Sequence, residues 1–174
     1  NADATLRVPT KKVDAFGRAK YVTVWAFFAN TAYFVVSAAS SASALLAARR
    51  GGRAARVLDA AFFGAASLAH VVTVLFWSIY FYERDLIWPD RVAKHIPMTL
   101  NVYMHAGISL NLVVDALVVR HEFRAAEHTA VAVLLGVAYL SWNAWLRYAA
   151  GGIGRWVYPV QADIGAKHGW RGLA

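Results

Sequence analysis

Charged side chains come in bunches along this chain, and the stretches between them are long. Positions 21–48 carry no Asp, Glu, Lys or Arg, and the same holds for 60–82, 95–114 and 128–146. These four blocks hold just over half of the chain. A helix needs about 20 apolar residues to cross the hydrocarbon core of a bilayer, so each block is long enough to span. A water-soluble bundle keeps a charged or strongly polar face on every helix, and 21–48 supplies none. The pattern predicts an all-α integral membrane bundle of four transmembrane helices, over about 21–48, 55–82, 97–119 and 129–148. They form a transmembrane domain over 21–159, between a polar N-terminal segment, 1–20, and a polar tail, 160–174, too short and too polar to span.

The punctuation agrees with these boundaries. Arg49, Arg50, Gly51, Gly52 and Arg53 break the first helix from the second, and Gly151, Gly152 and Gly154 follow the fourth. The second helix ends in Phe76, Trp77, Tyr80, Phe81 and Tyr82, the composition of a membrane–water boundary. Pro97 suits the first turn of the third. Small residues at 38–48 allow another helix to approach closely.

Composition sharpens the reading. Apolar residues make up 59% and charged residues 16%, against roughly 45–50% and about 25% in soluble domains. The 18 basic residues outnumber 10 acidic ones, but they sit in the connections, where anionic headgroups lie; the expected partner is the membrane surface and not nucleic acid. Twelve of them fall on the side shared by both termini and the second connection, which favours that side as cytoplasmic or matrix-facing, while the tight Arg49–Arg56 cluster argues the other way. With no cysteine, thiolate metal ligation, disulfides and a cysteine nucleophile are excluded. Positions 1–20 hold no apolar core of a signal peptide, and a chain starting at Asn reads as a processed or partial form of something longer.

Polar residues inside the spans carry the candidate chemistry, since each ionisable one costs on the order of 2.5–3.5 kcal/mol in hydrocarbon. On the third helix Asn101, His105, Asn111 and Asp115 fall within an arc of about 120° at about 100° per residue, so one face is built for polar contact. These residues serve equally as structural glue between helices. Depth brings Thr23, one turn into the first helix, to the level of His105. Phe76, Trp77, Tyr80 and Glu83 return to that same side on the second helix, with Tyr139, Trp142, Asn143 and Arg147 on the fourth. A crevice there would take an amphiphile, its tail among Phe27, Phe76 and Trp77 and its head near Thr23 and His105. A threonine hydroxyl becomes nucleophilic when a neighbouring base takes its proton, and histidine suits that task. His70, near mid-span on the second helix, offers a competing use with His105 as axial ligands of one haem, or a hydrogen bond within the bundle, to Thr73 or a partner helix. Asp59 is expected at the interface beside Arg56, and His95, His121, His128 and His168 in connections or the tail. No metal site and no cofactor are expected.

The residues assembled so far, over about 20–165, resemble the androgen-induced and androgen-dependent family of membrane proteins that hydrolyse fatty acid esters of hydroxy fatty acids. The resemblance rests on Phe76-Trp77 with Tyr80, Tyr82-Glu83-Arg84-Asp85-Leu86-Ile87 with Pro89, Ile96-Pro97, Leu100-Asn101, Met104-His105, Tyr139, Trp142 and the Gly154-Arg155-Trp156-Val157-Tyr158-Pro159 ending. It implies a lipid ester hydrolase with a threonine nucleophile and a histidine base, at positions matching Thr23 and His105. Asn101, one turn from His105, is the candidate oxyanion donor. Family members usually have about six crossings; this chain lacks counterparts of the first and last, and has Val102 where animal relatives would carry another histidine. The alternative is a non-catalytic accessory subunit of a larger membrane complex, so the expected partners are membrane lipids or a lipid-like substrate and, on the alternative, other membrane subunits. The resemblance implies endoplasmic reticulum or plasma membrane, and the Arg-rich connections equally suit a mitochondrial inner membrane.

Overall fold

The computed structural model describes residues 17–46, 52–148 and 157–158. The start of the polar segment (1–16), most of the Arg- and Gly-rich break after the first helix (47–51), the glycine break after the fourth (149–156) and the tail (160–174) lie outside the described residues. A 3-10 turn, Gly17–Lys20, leads into helix α1, Val22–Leu46. Helix α2 covers Arg53–Tyr82. A 3-10 turn, Arg84–Leu86, and the one-turn helix α3, Asp90–Ala93, form the connection to α4, Met98–Val118. Helix α5 is Ala125–Tyr148. All four long helices are long and apolar enough to cross a membrane, and no strand occurs among the described residues.

Helix α2 is the axle of the bundle and the most enclosed of the four. Phe62, Ala65, Leu68, Ala69 and Val72 on α2 meet Ala26 and Tyr33 of α1 and Ile108 and Leu112 of α4 in one buried cluster. In a bilayer, lipid tails are as apolar as leucine, so this cluster gains from close van der Waals packing and not from escaping water. The alanines Ala26, Ala65 and Ala69 let the backbones approach. Gly64 does the same toward α5, for a Cβ there would come 3.0 Å from Val131 Cγ1 and 3.2 Å from Leu135 Cδ1. Large apolar side chains such as Val36, Val74, Leu117, Val118, Leu134 and Leu140 point outward, as a lipid-facing surface requires.

At two places the structure departs from the sequence pattern. Helix α5 starts four residues before 129, because Arg124 caps it: the Arg124 N–H donates to His128 Nδ1 at 3.0 Å, while the His128 N–H reaches the Arg124 carbonyl at 2.9 Å. His128 is therefore a buried helical residue, stacked on Phe63 at 4.3 Å, and not part of a connection. Asp59 is 7% exposed and turns away from Arg56, which pairs instead with Glu127 at 2.5 Å. The positive φ of 86° at Gly52, where α2 begins, is the one backbone angle that demands glycine among the described residues.

Gly64→Leu is expected to force α5 off α2 and lower stability by about 1–3 kcal/mol, read as a lowered unfolding midpoint by circular dichroism in detergent. Gly136→Leu on α5, where an added Cβ meets open space, should leave the midpoint unchanged.

Candidate functional site

The site begins with what fixes the start of α1. The first N–H groups of a helix lack partners within it, and here aromatic hydroxyls from distant parts of the chain meet this end. Tyr158 Oη accepts the Val22 N–H at 3.0 Å, Tyr139 Oη donates to the Lys20 carbonyl at 3.1 Å, and Trp25 Nε1 donates to the Ala19 carbonyl at 2.8 Å. Rings seal the same end, with Trp25 edge-on to Tyr139 at 5.5 Å and Tyr21 against Tyr158 at 5.8 Å. Burial, and then the neighbouring Tyr139, push the Tyr158 phenol above the usual tyrosine range, so it stays a neutral hydroxyl at physiological pH. Thr23 thus sits in the first turn of a helix whose end is clamped.

The opposing side chain comes from an irregular turn. Over Tyr103–Gly107 helix α4 widens into a π-helix, with the Ile108 N–H bonded to the Tyr103 carbonyl five residues back. Such turns are rare and concentrate at functional sites. Gly107 permits this one, since any Cβ there would come 2.6 Å from Tyr103 Cδ2. His105 lies at its centre, engaged at both ring nitrogens and on one ring face. Nδ1 is 2.9 Å from the Asn101 carbonyl, Nε2 is 3.3 Å from Thr23 Oγ1, and Phe76 stacks on the ring at 3.7 Å and 19°. Trp77 Nε1 donates to the His105 carbonyl at 3.1 Å, which ties the π turn to α2. A carbonyl can only accept, so Nδ1 carries the ring proton and Nε2 presents a lone pair to the threonine hydroxyl. Thr23 and His105 therefore form an oriented hydroxyl–imidazole pair across two helices, half-buried among aromatic rings.

The other candidate residues fall around this pair to different degrees. Phe76 is buried, Trp77 is half-buried, and Tyr80 continues the ring stack on Phe76 at 5.8 Å. Asn101 is 0% exposed; its Nδ2 lies 3.8 Å from Met98 Sδ, and its Oδ1 has no partner among the described residues. Phe27 is 37% exposed with its ring edge-on to Phe28 at 6.2 Å. Trp142 stacks on Trp145 at 5.2 Å, and Asn143 beside it is buried. His70 is exposed on the outer side of α2 with Nδ1 facing the Ala66 carbonyl at 2.6 Å, while Thr73 bonds to Ser109 Oγ at 2.7 Å. His70 and His105 face different surroundings, so the bis-imidazole arrangement does not form, and the expected His70 to Thr73 bond is replaced by one to Ser109. Sequence reasoning missed the tyrosine clamp, the π turn and Ser109. A hydroxyl such as Thr73 inside a span is itself the signal for a partner at the same depth.

A family model described as FAR-17a/AIG1-like protein matches residues 4–170. Androgen-induced gene 1 protein of Homo sapiens is 31% identical over 96 residues, 54% of this chain and 39% of that protein. Androgen-dependent TFPI-regulating protein is 32% identical over 95 residues in Mesocricetus auratus and 34% over 95 residues in Homo sapiens, each covering 53% of this chain. The chain spans about two-fifths of the length of these curated relatives. No solved structure matches it.

The tautomer is directly checkable. Long-range proton–nitrogen correlation spectra are expected to show His105 protonated at Nδ1 with Nε2 bare. A ring protonated at Nε2 would reverse the roles of the pair.

Proposed function

The chain belongs to the FAR-17a/AIG1-like family, and on that premise we propose that it is a membrane-embedded lipid ester hydrolase acting on fatty acid esters of hydroxy fatty acids. One observation carries the reading: Thr23 Oγ1 stands 3.3 Å from a bare Nε2 of His105, whose other nitrogen is held by a backbone carbonyl. This is the arrangement a nucleophile and its general base require.

The reaction runs in two halves. His105 Nε2 takes the Thr23 proton as Oγ1 attacks the ester carbonyl, placing a negative charge on the carbonyl oxygen. The imidazolium then returns the proton to the departing alkoxide, so the hydroxy fatty acid leaves and the fatty acyl group stays on Thr23. Water, giving its proton to His105 Nε2, attacks that acyl-threonine, and the imidazolium returns the proton to Thr23 Oγ1 as the fatty acid leaves, restoring the pair. Asn101 is the proposed donor to the oxyanion through its Nδ2, whose contact among the described residues is the weak acceptor Met98 Sδ. Burial among Phe76, Trp77 and Tyr80 suits an acyl chain. The family likeness supports the endoplasmic reticulum or plasma membrane as the place of action.

Purified protein incubated with a branched fatty acid ester, in parallel with a fluorophosphonate probe, tests this. Thr23→Ala and His105→Ala are each expected to abolish labelling and to lower kcat/KM by at least about 100-fold. Turnover that survives both substitutions rejects the Thr23–His105 mechanism, and a parent protein with neither turnover nor labelling leaves the accessory-subunit reading.

A further inference from the structure

A second group of ionisable side chains lies toward the opposite membrane face from the Thr23–His105 pair. Asp115, near the end of α4, receives the Tyr33 hydroxyl of α1 at 2.5 Å and His121 Nε2 at 2.9 Å on the same oxygen. His121 Nδ1 is 3.2 Å from Asp59 of α2, and Arg124 Nη1 lies 3.6 Å from the other oxygen of Asp59. The imidazole lies flat on Phe62, 3.8 Å between centroids at 6°. The side chains of His121, Asp59 and Asp115 are only 8%, 10% and 12% exposed. Both ring nitrogens face carboxylates and can donate together only when the ring holds both protons. The Arg124 guanidinium is shared between Asp59 at 3.6 Å and the exposed Glu122 at 2.7 Å, and buried charge is tolerated where it keeps such partners.

The position of this network matters more than its stability. Helices α1 and α4 leave the same face and run parallel. Their hydrophobic partners are largely on α2, and three polar rungs join them directly: Thr23 to His105 at 3.3 Å, Asn30 Nδ2 to the Ile108 carbonyl at 3.0 Å, and Tyr33 to Asp115 at 2.5 Å. The sequence separation from Thr23 to Tyr33 equals that from His105 to Asp115, so both end rungs can close at one register. A slip of one residue shifts a helix by about 1.5 Å and turns it by about 100°, enough to part Thr23 from His105. Of the two end rungs, the one from Thr23 to His105 is a long neutral hydrogen bond at 3.3 Å. The one from Tyr33 to Asp115 is short, charge-assisted and braced by α2 through His121.

We propose that Tyr33, Asp115, His121 and Asp59 are positioning residues that fix the register of α1 on α4 from the far side of the membrane and so hold Thr23 Oγ1 in reach of His105 Nε2. Its catalytic half rests on the hydrolase reading; its structural half does not.

The full chain in lipid nanodiscs tests both halves. It has no native cysteine, so spin labels at Phe28→Cys and Leu110→Cys, two outward-facing positions on α1 and α4, report their separation without background. Tyr33→Phe removes a single hydroxyl, and Asp115→Asn keeps the side-chain shape. Each is expected to shift or broaden the label distance by about 1.5 Å or more. Each should also slow fluorophosphonate labelling of Thr23 by about 10- to 100-fold, with KM within about twofold and helix content unchanged. Asp59→Asn, which reaches the Tyr33–Asp115 rung through His121, should do the same more weakly. A distance distribution identical to the parent in both Tyr33→Phe and Asp115→Asn overturns the proposal, whatever the labelling does. Loss of labelling with an unmoved distance overturns it too. A parent protein that never labels refutes the hydrolase reading instead, and the label distances alone then decide the register.

Discussion

Hydrocarbon offers no hydrogen-bond partner, and the interior of this bundle is organised by that lack. A polar side chain that a span carries gains most by finding its complement on a neighbouring helix or on its own backbone. Thr31, Ser67 and Ser41 take the local solution and donate to carbonyls four residues back. Asn30 and Asp115 reach across to another helix, and Thr73 and His105 do both. The second group converges on α4, which makes it the polar seam of the molecule. Since apolar packing alone distinguishes poorly between sliding registers in lipid, these few directional bonds define one arrangement among many of similar packing.

The π turn follows from the same demand. A regular α4 would carry its polar residues on one continuous stripe, and two parallel helices with fixed stripes meet well at one level only. Widening the helix at Tyr103–Gly107 re-phases the part beyond it, so His105 meets Thr23 and Phe76 while Ser109, Leu112 and Asp115 still meet α2 and α1. Gly107 removes the Cβ that would collide with the Tyr103 ring. The irregularity is anchored, because Trp77 donates to the His105 carbonyl at its centre and the imidazole donates to the Asn101 carbonyl just before it.

Much of this is legible in the order of residues. Uncharged length marks out the four spans, and depth within them brings Thr23 to His105 and gathers Phe76, Trp77 and Tyr80 beside them. What depth does not encode is the face a residue occupies. His70 stands near mid-span yet turns outward, and Asp59, three residues from Arg56, turns inward to His121. The start of α5 escapes a reading that ends each span at its nearest charges, since Arg124 and Glu127 begin a helix at the interface, where charge costs little. The π turn is hidden for a different reason: an angle of about 100° per residue assumes the regular helix that it interrupts.

On the proposed hydrolase reading, a reactive pair and a firm joint make conflicting demands on the same contact. A hydroxyl that must surrender its proton, and an imidazole that must accept and return it, gain nothing from being the strongest bond between their helices, because each proton movement would then loosen the frame. In this bundle the short, charge-assisted contact lies about 15 Å further along the same two helices, where Tyr33, Asp115 and His121 meet a carboxylate of the central helix. The tyrosine clamp on the Val22 N–H holds the near end by a group that does not titrate at physiological pH. Held at both ends by other groups, Thr23 and His105 sit at 3.3 Å, a spacing that on the proposed reading lets the proton pass to the imidazole and return.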